Sequence, residues 1–314
     1  MSLLGRTSEL VDRIAKVLLS GPPVDLVRIL TLMMLMLQGP TEWYVRNPLV
    51  LLGLAGIVFP AARSSPRLWF AIAAFLLAHA IVGWASVDNH KWLMGWWSLA
   101  MGLTTLAPQK SQLRVLQTNA RLLLGLCFAF ATLWKALSFD YLDSTYFRWG
   151  LLVDPRFESA ALYVGGVKGS DLEENRKLYK DVDESYLWEA EPVDSITLSS
   201  GPRIDLIAFA VTWWTILLEG NIALFCLWPG GRLVSIVRSL LVLVFATTTY
   251  VMAPVLGFGW TVTLLGFAQC PEQHRKLRAG FLLTVGLIYV YRLKIGSMLV
   301  KTAEYGFAEM TRFY

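Results

Sequence analysis

Apolar stretches, several of them close to 20 residues long, follow one another along most of this chain with only short polar breaks between them. A bilayer core takes about 20 apolar residues per helix, with about 17–25 tolerated. Leu49–Ala62, Leu68–Val87, Trp92–Ala107 and Val115–Leu137 meet or approach that length, with Arg121 interrupting the last. Leu206–Trp228, Ser239–Pro254, Leu256–Cys270 and Ala279–Tyr291 follow. The first stretch, Leu26–Leu37, is short; at 1.5 Å per residue it covers about 18 Å. It either continues through Pro40 to Val45 or dips without crossing, so nine spans are expected, or eight. Composition agrees. Hydrophobic residues make up 55% and 24 glycines bring the apolar share to about 63%, against about 45–50% in soluble domains. Charged residues fall to 16%, against about 25%. These values exclude a soluble globule, a disordered chain, a coiled coil and a disulfide scaffold. The expected fold class is an all-α membrane protein. Cys127, Cys226 and Cys270 lie in or beside apolar runs and read as small buried hydrophobes.

Residues 1–314 form one expected membrane domain. In residues 1–21, Leu3, Leu10, Val11, Ile14, Val17 and Leu18 fall on one helical face with charges opposite, ended by Gly21-Pro22-Pro23. That pattern predicts an amphipathic helix lying in the membrane surface, or a packed terminal helix, and not a cleavable signal peptide. Spans one to five occupy 22–137, and spans six to nine with a tail occupy 204–314. Loop cations orient the bundle. With the N-terminus cytoplasmic, the inner segments carry Arg63, Arg67, Lys110, Arg114, Arg232, Arg238, Arg275, Lys276 and Arg278, while the outer connections hold Arg46 and Lys91. Residues 138–203 differ in kind, with 13 acidic against 7 basic residues. They fall on the extracytoplasmic side and are expected to form a small polar cap. The rest of the chain is strongly basic, and that balance is a topology signal that says nothing of nucleic acid. The expected location is the inner (plasma) membrane.

The motifs of soluble enzymes are absent: no GxxxxGK[ST], GxSxG, HExxH or CxxC occurs. Three histidines, none spaced as a pair, predict no metal site. Ionisable groups inside spans are better pointers, because each must be paired or hydrated there. Lys135 lies near the outer end of the fifth span, Glu219 near the middle of the sixth, and Asp88-Asn89-His90 opens the fourth. The expected topology puts the Asp88–His90 cluster and Lys135 at one membrane face beneath the acidic cap. A lysine in an apolar site can act as a base, and a neighbouring His90 or Glu219 can hand protons on. Snorkelling, helix capping and a structural hydrogen bond are the plainer alternatives for the three. Trp96 and Trp97 lie inward of the interfacial Trp92, where a flat ligand such as a quinol-like lipid can stack or where ordinary packing holds them. Arg28 can pair with Asp25 three residues before it, or meet a lipid phosphate.

At these residues the chain resembles the horizontally transferred transmembrane domain family, which includes the membrane part of vitamin K-dependent gamma-carboxylase. Val24-Asp25-Leu26-Val27-Arg28-Ile29-Leu30 resembles its first-helix arginine motif. Asp88-Asn89-His90-Lys91-Trp92-Leu93 resembles its Asn-His-x-x-Leu signature. Arg121 through Leu142 resembles the segment bearing the family's lysine, and Thr215 to Glu219 its later Thr-x-x-x-Glu spacing. The resemblance implies an outer-face site in which Lys135 is the base, driven by oxygenation of a hydroquinone, with His90 and Glu219 in catalytic support. Asn89, Trp96, Trp97 and Arg28 would hold the quinol-like lipid. The family reads Lys-Leu directly; here Ala136 intervenes, a helical turn of about 100°. The carboxylases carry a large outer domain for a protein substrate, so protein glutamate is not expected as substrate here. Two functions follow: an enzyme acting on a lipid-soluble small molecule, or a non-catalytic integral subunit whose residues 138–203 dock a protein partner.

Overall fold

A computed structural model describes residues 23–187, 197–253 and 255–292. The expected surface helix at 1–21, part of the acidic segment and the tail beyond Arg292 lie outside the described residues. No strand occurs among the described residues. In chain order the helices are α1 (Pro23–Gln38), α2 (Trp43–Val58), α3 (Pro60–Arg63), α4 (Pro66–Val82), α5 (Asn89–Leu106), α6 (Gln109–Leu137), α7 (Phe139–Leu142), α8 (Thr145–Val153), α9 (Gly169–Leu187), α10 (Ile204–Leu227), α11 (Arg232–Met252), α12 (Leu256–Gln269) and α13 (Arg275–Arg292). Most apolar stretches fall on one helix, but Leu49–Ala62 is broken at Phe59 between α2 and α3, and Leu68–Val87 outruns α4, which ends at Val82. Three of these are long and apolar enough to cross a membrane: α6, α10 and Arg232–Tyr250 of α11; α2 and α4 are shorter apolar helices.

Prolines punctuate the series. The first helix does not run on through Pro40: it stops at Gln38, and the Gly39 N–H donates back to Leu35 O at 2.9 Å. Pro60 and Pro66 sit in the first turns of α3 and α4, where a missing N–H costs nothing. Ala107, preceding Pro108, is extended, as its clash with the ring requires, and ends α5.

The chain forms two compact units. One gathers the residues up to Cys127 and those from Ile222 onward; the other is Phe128–Asn221. In the first unit α4 lies along α5 and α1 along α2, while α12 packs against α1, α5, α11 and α13. Every residue of α12 apart from Phe258 is buried, so this helix forms the unit's centre. Two glycines allow that crowding: a methyl group at Gly257 would strike the His90 imidazole, and one at Gly266 the Phe281 ring. Trp69 and Trp97 are fully buried; their indole N–H groups donate to Arg63 O at 2.9 Å and to Thr31 Oγ1 at 3.0 Å.

Asp25 does not turn to Arg28. It accepts two hydrogen bonds from Arg63, Nε to Oδ1 at 2.7 Å and Nη2 to Oδ2 at 2.8 Å. A guanidinium fork from another helix meets a carboxylate better than a side chain on the same face can. The Arg63 hydrogen bond holds the Asp25 carboxyl below its ordinary value of 3.8, against the opposing effect of burial. A depressed acid contributes stability that is complete above the unfolded-state value and is lost as pH falls through the folded-state value. Asp25→Ala is therefore expected to cost about 1.5–3 kcal/mol near neutral pH. The gap between variant and wild-type melting temperatures should close as the pH falls below the ordinary carboxyl value of 3.8 and the folded-state Asp25 takes up its proton. An unchanged gap in acid would deny the pair its role.

In the second unit, α8 packs against α7 and α9. Phe147, Leu151, Leu152, Ala161, Leu172 and Ile204 form its core. Asn175, fully buried, clamps the chain entering α10: its Nδ2 donates to Ser199 O and its Oδ1 accepts from the Ser199 N–H, both at 2.8 Å. Arg176 ties α9 to Val153 O and Glu158. The described part of residues 138–203 is thus folded helical structure with its own apolar core.

Candidate functional site

Lys135 and Glu219 form an ion pair in the second unit, with the Lys135 Nζ donating to Glu219 Oε2. Lys135 is the third residue from the end of α6, and Glu219 lies two thirds of the way along α10. The side chains are 13% and 7% exposed, so both charges leave water and stabilise each other. Helical spacing prepares the meeting. Thr212, Thr215 and Glu219 share one face of α10 and are all buried. Thr132, one turn before Lys135, lies against Gly220, where a Cβ would touch its methyl at 3.4 Å. That close approach brings the two helices near enough for the side chains to pair.

The ring of Tyr141 completes the site. Lys135 Nζ stands 5.7 Å from its centroid, within cation–π reach. Tyr141 stacks on Tyr146 at 4.2 Å between centroids, and both rings meet Phe147 edge-on. Burial, helped by a hydrogen bond with Tyr146 and the charge of Glu219, raises the Tyr141 hydroxyl well above the usual phenol range. That hydroxyl stays protonated at any physiological pH. The arrangement therefore offers an amine, a carboxylate and a phenol donor against an aromatic wall, a set able to accept, pass and donate protons. Tyr141 escaped the sequence reading, because a tyrosine just past a span looks like an interfacial anchor.

The remaining candidates belong to the first unit. His90 is buried in its second helical position, its ring against Gly257, with Nδ1 3.9 Å from Asp88 Oδ2. Asn89 is exposed beside it. Trp97 is wholly buried, whereas Trp96 is 47% exposed. Arg28 is buried and donates from Nη2 to Thr105 Oγ1 and Gln112 Oε1, each at 3.2 Å, so it joins α1 to the turn between α5 and α6. Cys226 and Cys270 are buried and Cys127 is half-buried, and no disulfide joins them.

A second concave feature in the first unit was not singled out in the sequence. A cleft of about 240 Å³ opens where α1 and α4 end and α2 and α5 begin, lined by Glu42, Tyr44, His79, Asp88 and Lys91. His79 Nε2 lies 3.4 Å from Glu42 Oε2. Lys91 Nζ donates to Gln38 O and Gly39 O, both at 2.8 Å, and so caps the negative end of α1. His79 carried a faint signal as the one titratable residue of an otherwise apolar run. Among the described residues no three His, Cys, Asp or Glu side chains are grouped to hold a metal ion. No family model matches the chain, and neither the curated proteins nor the solved structures hold a match.

Proposed function

We propose that this chain is a multi-pass membrane enzyme of the gamma-carboxylase-like, horizontally transferred transmembrane type, acting on a quinol-like lipid with Lys135 as base. The observation that carries this is the Lys135–Glu219 pair facing the Tyr141 ring inside the second unit. In this proposal eight or nine helices span the inner (plasma) membrane, the N-terminus is cytoplasmic, and residues 138–203 are extracytoplasmic. Loop cations support that orientation. One proton passes from Lys135 Nζ to the Glu219 carboxylate, giving a free amine and a neutral acid. The amine then takes the hydroxyl proton of the quinol, leaving a quinolate beside an ammonium that Tyr141 faces. Dioxygen is the co-reactant: it takes two electrons from the quinolate, with the quinolate's remaining hydroxyl proton and the one returned by the ammonium, giving quinone and hydrogen peroxide, and its uptake reports turnover. Residues of the second unit suffice for this proton transfer; the support expected from His90, Asn89, Trp96, Trp97 and Arg28 is a separate part of the proposal.

Membranes holding the wild-type chain and Lys135→Ala, supplied with a chemically reduced naphthoquinol, test it through quinol-dependent dioxygen uptake. The variant is expected to lose at least tenfold in rate, at the low end of a positioned base's contribution. Equal rates would remove the lysine from any catalytic role. The second reading, a non-catalytic subunit docking a protein, is favoured by the outer surface of α9, where Glu173, Glu174, Lys177 and Lys180 are exposed.

A further inference from the structure

Arg121, Arg238 and Arg278 of the first unit lie beside the end of α10, near the start of α11 and near the start of α13, and no ion pair serves any of them among the described residues. Arg238, near the start of α11, is 6% exposed and donates from Nε to Gln269 Oε1 at 2.6 Å and from Nη1 to Phe225 O at 3.4 Å. Arg121 of α6 donates to Trp228 O at 3.5 Å, just past the end of α10. Arg278 of α13 is 5% exposed, stands 4.3 Å over the Phe267 ring, and has a buried Nε with no hydrogen-bond partner. Arg238 and Arg278 both reach the last turn of α12, at Gln269 and at the Phe267 ring, and Arg121 and Arg238 both reach the last carbonyls at the end of α10, Trp228 O and Phe225 O. Glu272 is an acid whose field reaches Arg278, yet it forms no ion pair with it.

Carbonyls and an amide accept hydrogen bonds without carrying a full negative charge, and Glu272 is beyond ion-pair distance of Arg278. A buried cation without a counter-charge is costly. We propose that the Arg121–Arg238–Arg278 cluster is the binding site of one phosphate-type anion. Guanidinium forks match phosphate oxygens geometrically, and the unpaired Arg278 Nε is the donor left over for it. Arg238 and Arg278 belong to the cation series expected to face the cytoplasm, where basic pockets between helices meet anionic lipid headgroups. The phosphate of such a lipid and free phosphate present the same oxygens to the cluster.

The purified full-length chain in neutral detergent distinguishes the two sources. Its melting temperature is followed with added phosphatidylglycerol, with phosphatidylcholine, and with inorganic phosphate against chloride at matched ionic strength. A rise with phosphatidylglycerol alone assigns a lipid phosphate. A rise with inorganic phosphate over chloride assigns a soluble one. No rise with either, or the same rise with phosphatidylcholine, overturns the site. Arg238→Gln and Arg278→Gln should each weaken the response at least tenfold in anion concentration. Arg67→Gln, which removes an exposed cation of the same expected face, should leave it unchanged; an equal loss there means general surface charge and overturns it. Should the buried variants fail to fold, native mass spectrometry of the wild-type chain decides: one retained phosphate-bearing species per chain is expected, and none overturns the assignment.

Discussion

Glu219→Ala is expected to destabilise the chain by about 3–5 kcal/mol, the usual cost of leaving one member of a buried ion pair without its partner. The side chains are 13% and 7% exposed, so solvent screens the loss little. Lys135→Ala should cost a comparable amount, because it strands the carboxylate. Replacing both, as Lys135→Met with Glu219→Leu, should recover most of the loss, since well-packed apolar side chains often substitute for a buried pair at no net cost. Unfolding of the four proteins in detergent gives the coupling energy directly. A Glu219→Ala loss under about 1 kcal/mol would show that the lysine reaches water without its partner. The double variant also separates structure from chemistry: stable but without quinol-dependent dioxygen uptake is the expected result.

Trp97→Ala should cost about 3–5 kcal/mol, the range for emptying a wholly buried large aromatic site. It also takes the indole donor from Thr31 Oγ1. Trp97→Phe keeps most of the volume and loses that bond, for about 0.5–1.5 kcal/mol. Trp96, one residue earlier and 47% exposed, should tolerate alanine within about 0.5 kcal/mol in detergent. Melting temperatures of the three variants suffice. Equal losses at the two tryptophans would contradict their opposite placement. Ligand stacking can be sought at Trp96 without disturbing the core, whereas any effect of Trp97 on binding must be measured on a protein already weakened.

The helices themselves were legible. Most apolar runs fall on a single helix, but Leu49–Ala62 breaks at Phe59 into α2 and α3, and the first run stops before Pro40 and does not continue to Val45. A helix can outlast its apolar run: α6 begins at Gln109, six residues before Val115, because polar side chains cost a helix little where they meet water. Partners were not legible. Periodicity tells which residues share a face of one helix but not which helix that face meets. Lys135 and Glu219 stand 84 residues apart, and Asp25 finds Arg63 across 38 residues in preference to Arg28 nearby. Lys91 was read as a loop cation, yet its ammonium closes the end of α1, a role that depends on where another helix happens to stop. In the sequence Arg238 and Arg278 count for their charge alone; their burial follows from packing among α11, α12 and α13.

Glu219 stands 15 residues beyond Ile204 along α10, about 22 Å of helix, while Lys135 is two residues from the end of α6. The turn at Tyr141, the Arg148–Asp205 contact and the approach of Gly165 to Ile204 all run beside that length of α10. The acid and the amine are therefore buried about four helical turns along α10 from the Arg148–Asp205 contact, away from open solvent. Protons reaching them must be relayed through side chains or single files of water, so isotope exchange at this pair should lag behind that of open surface groups.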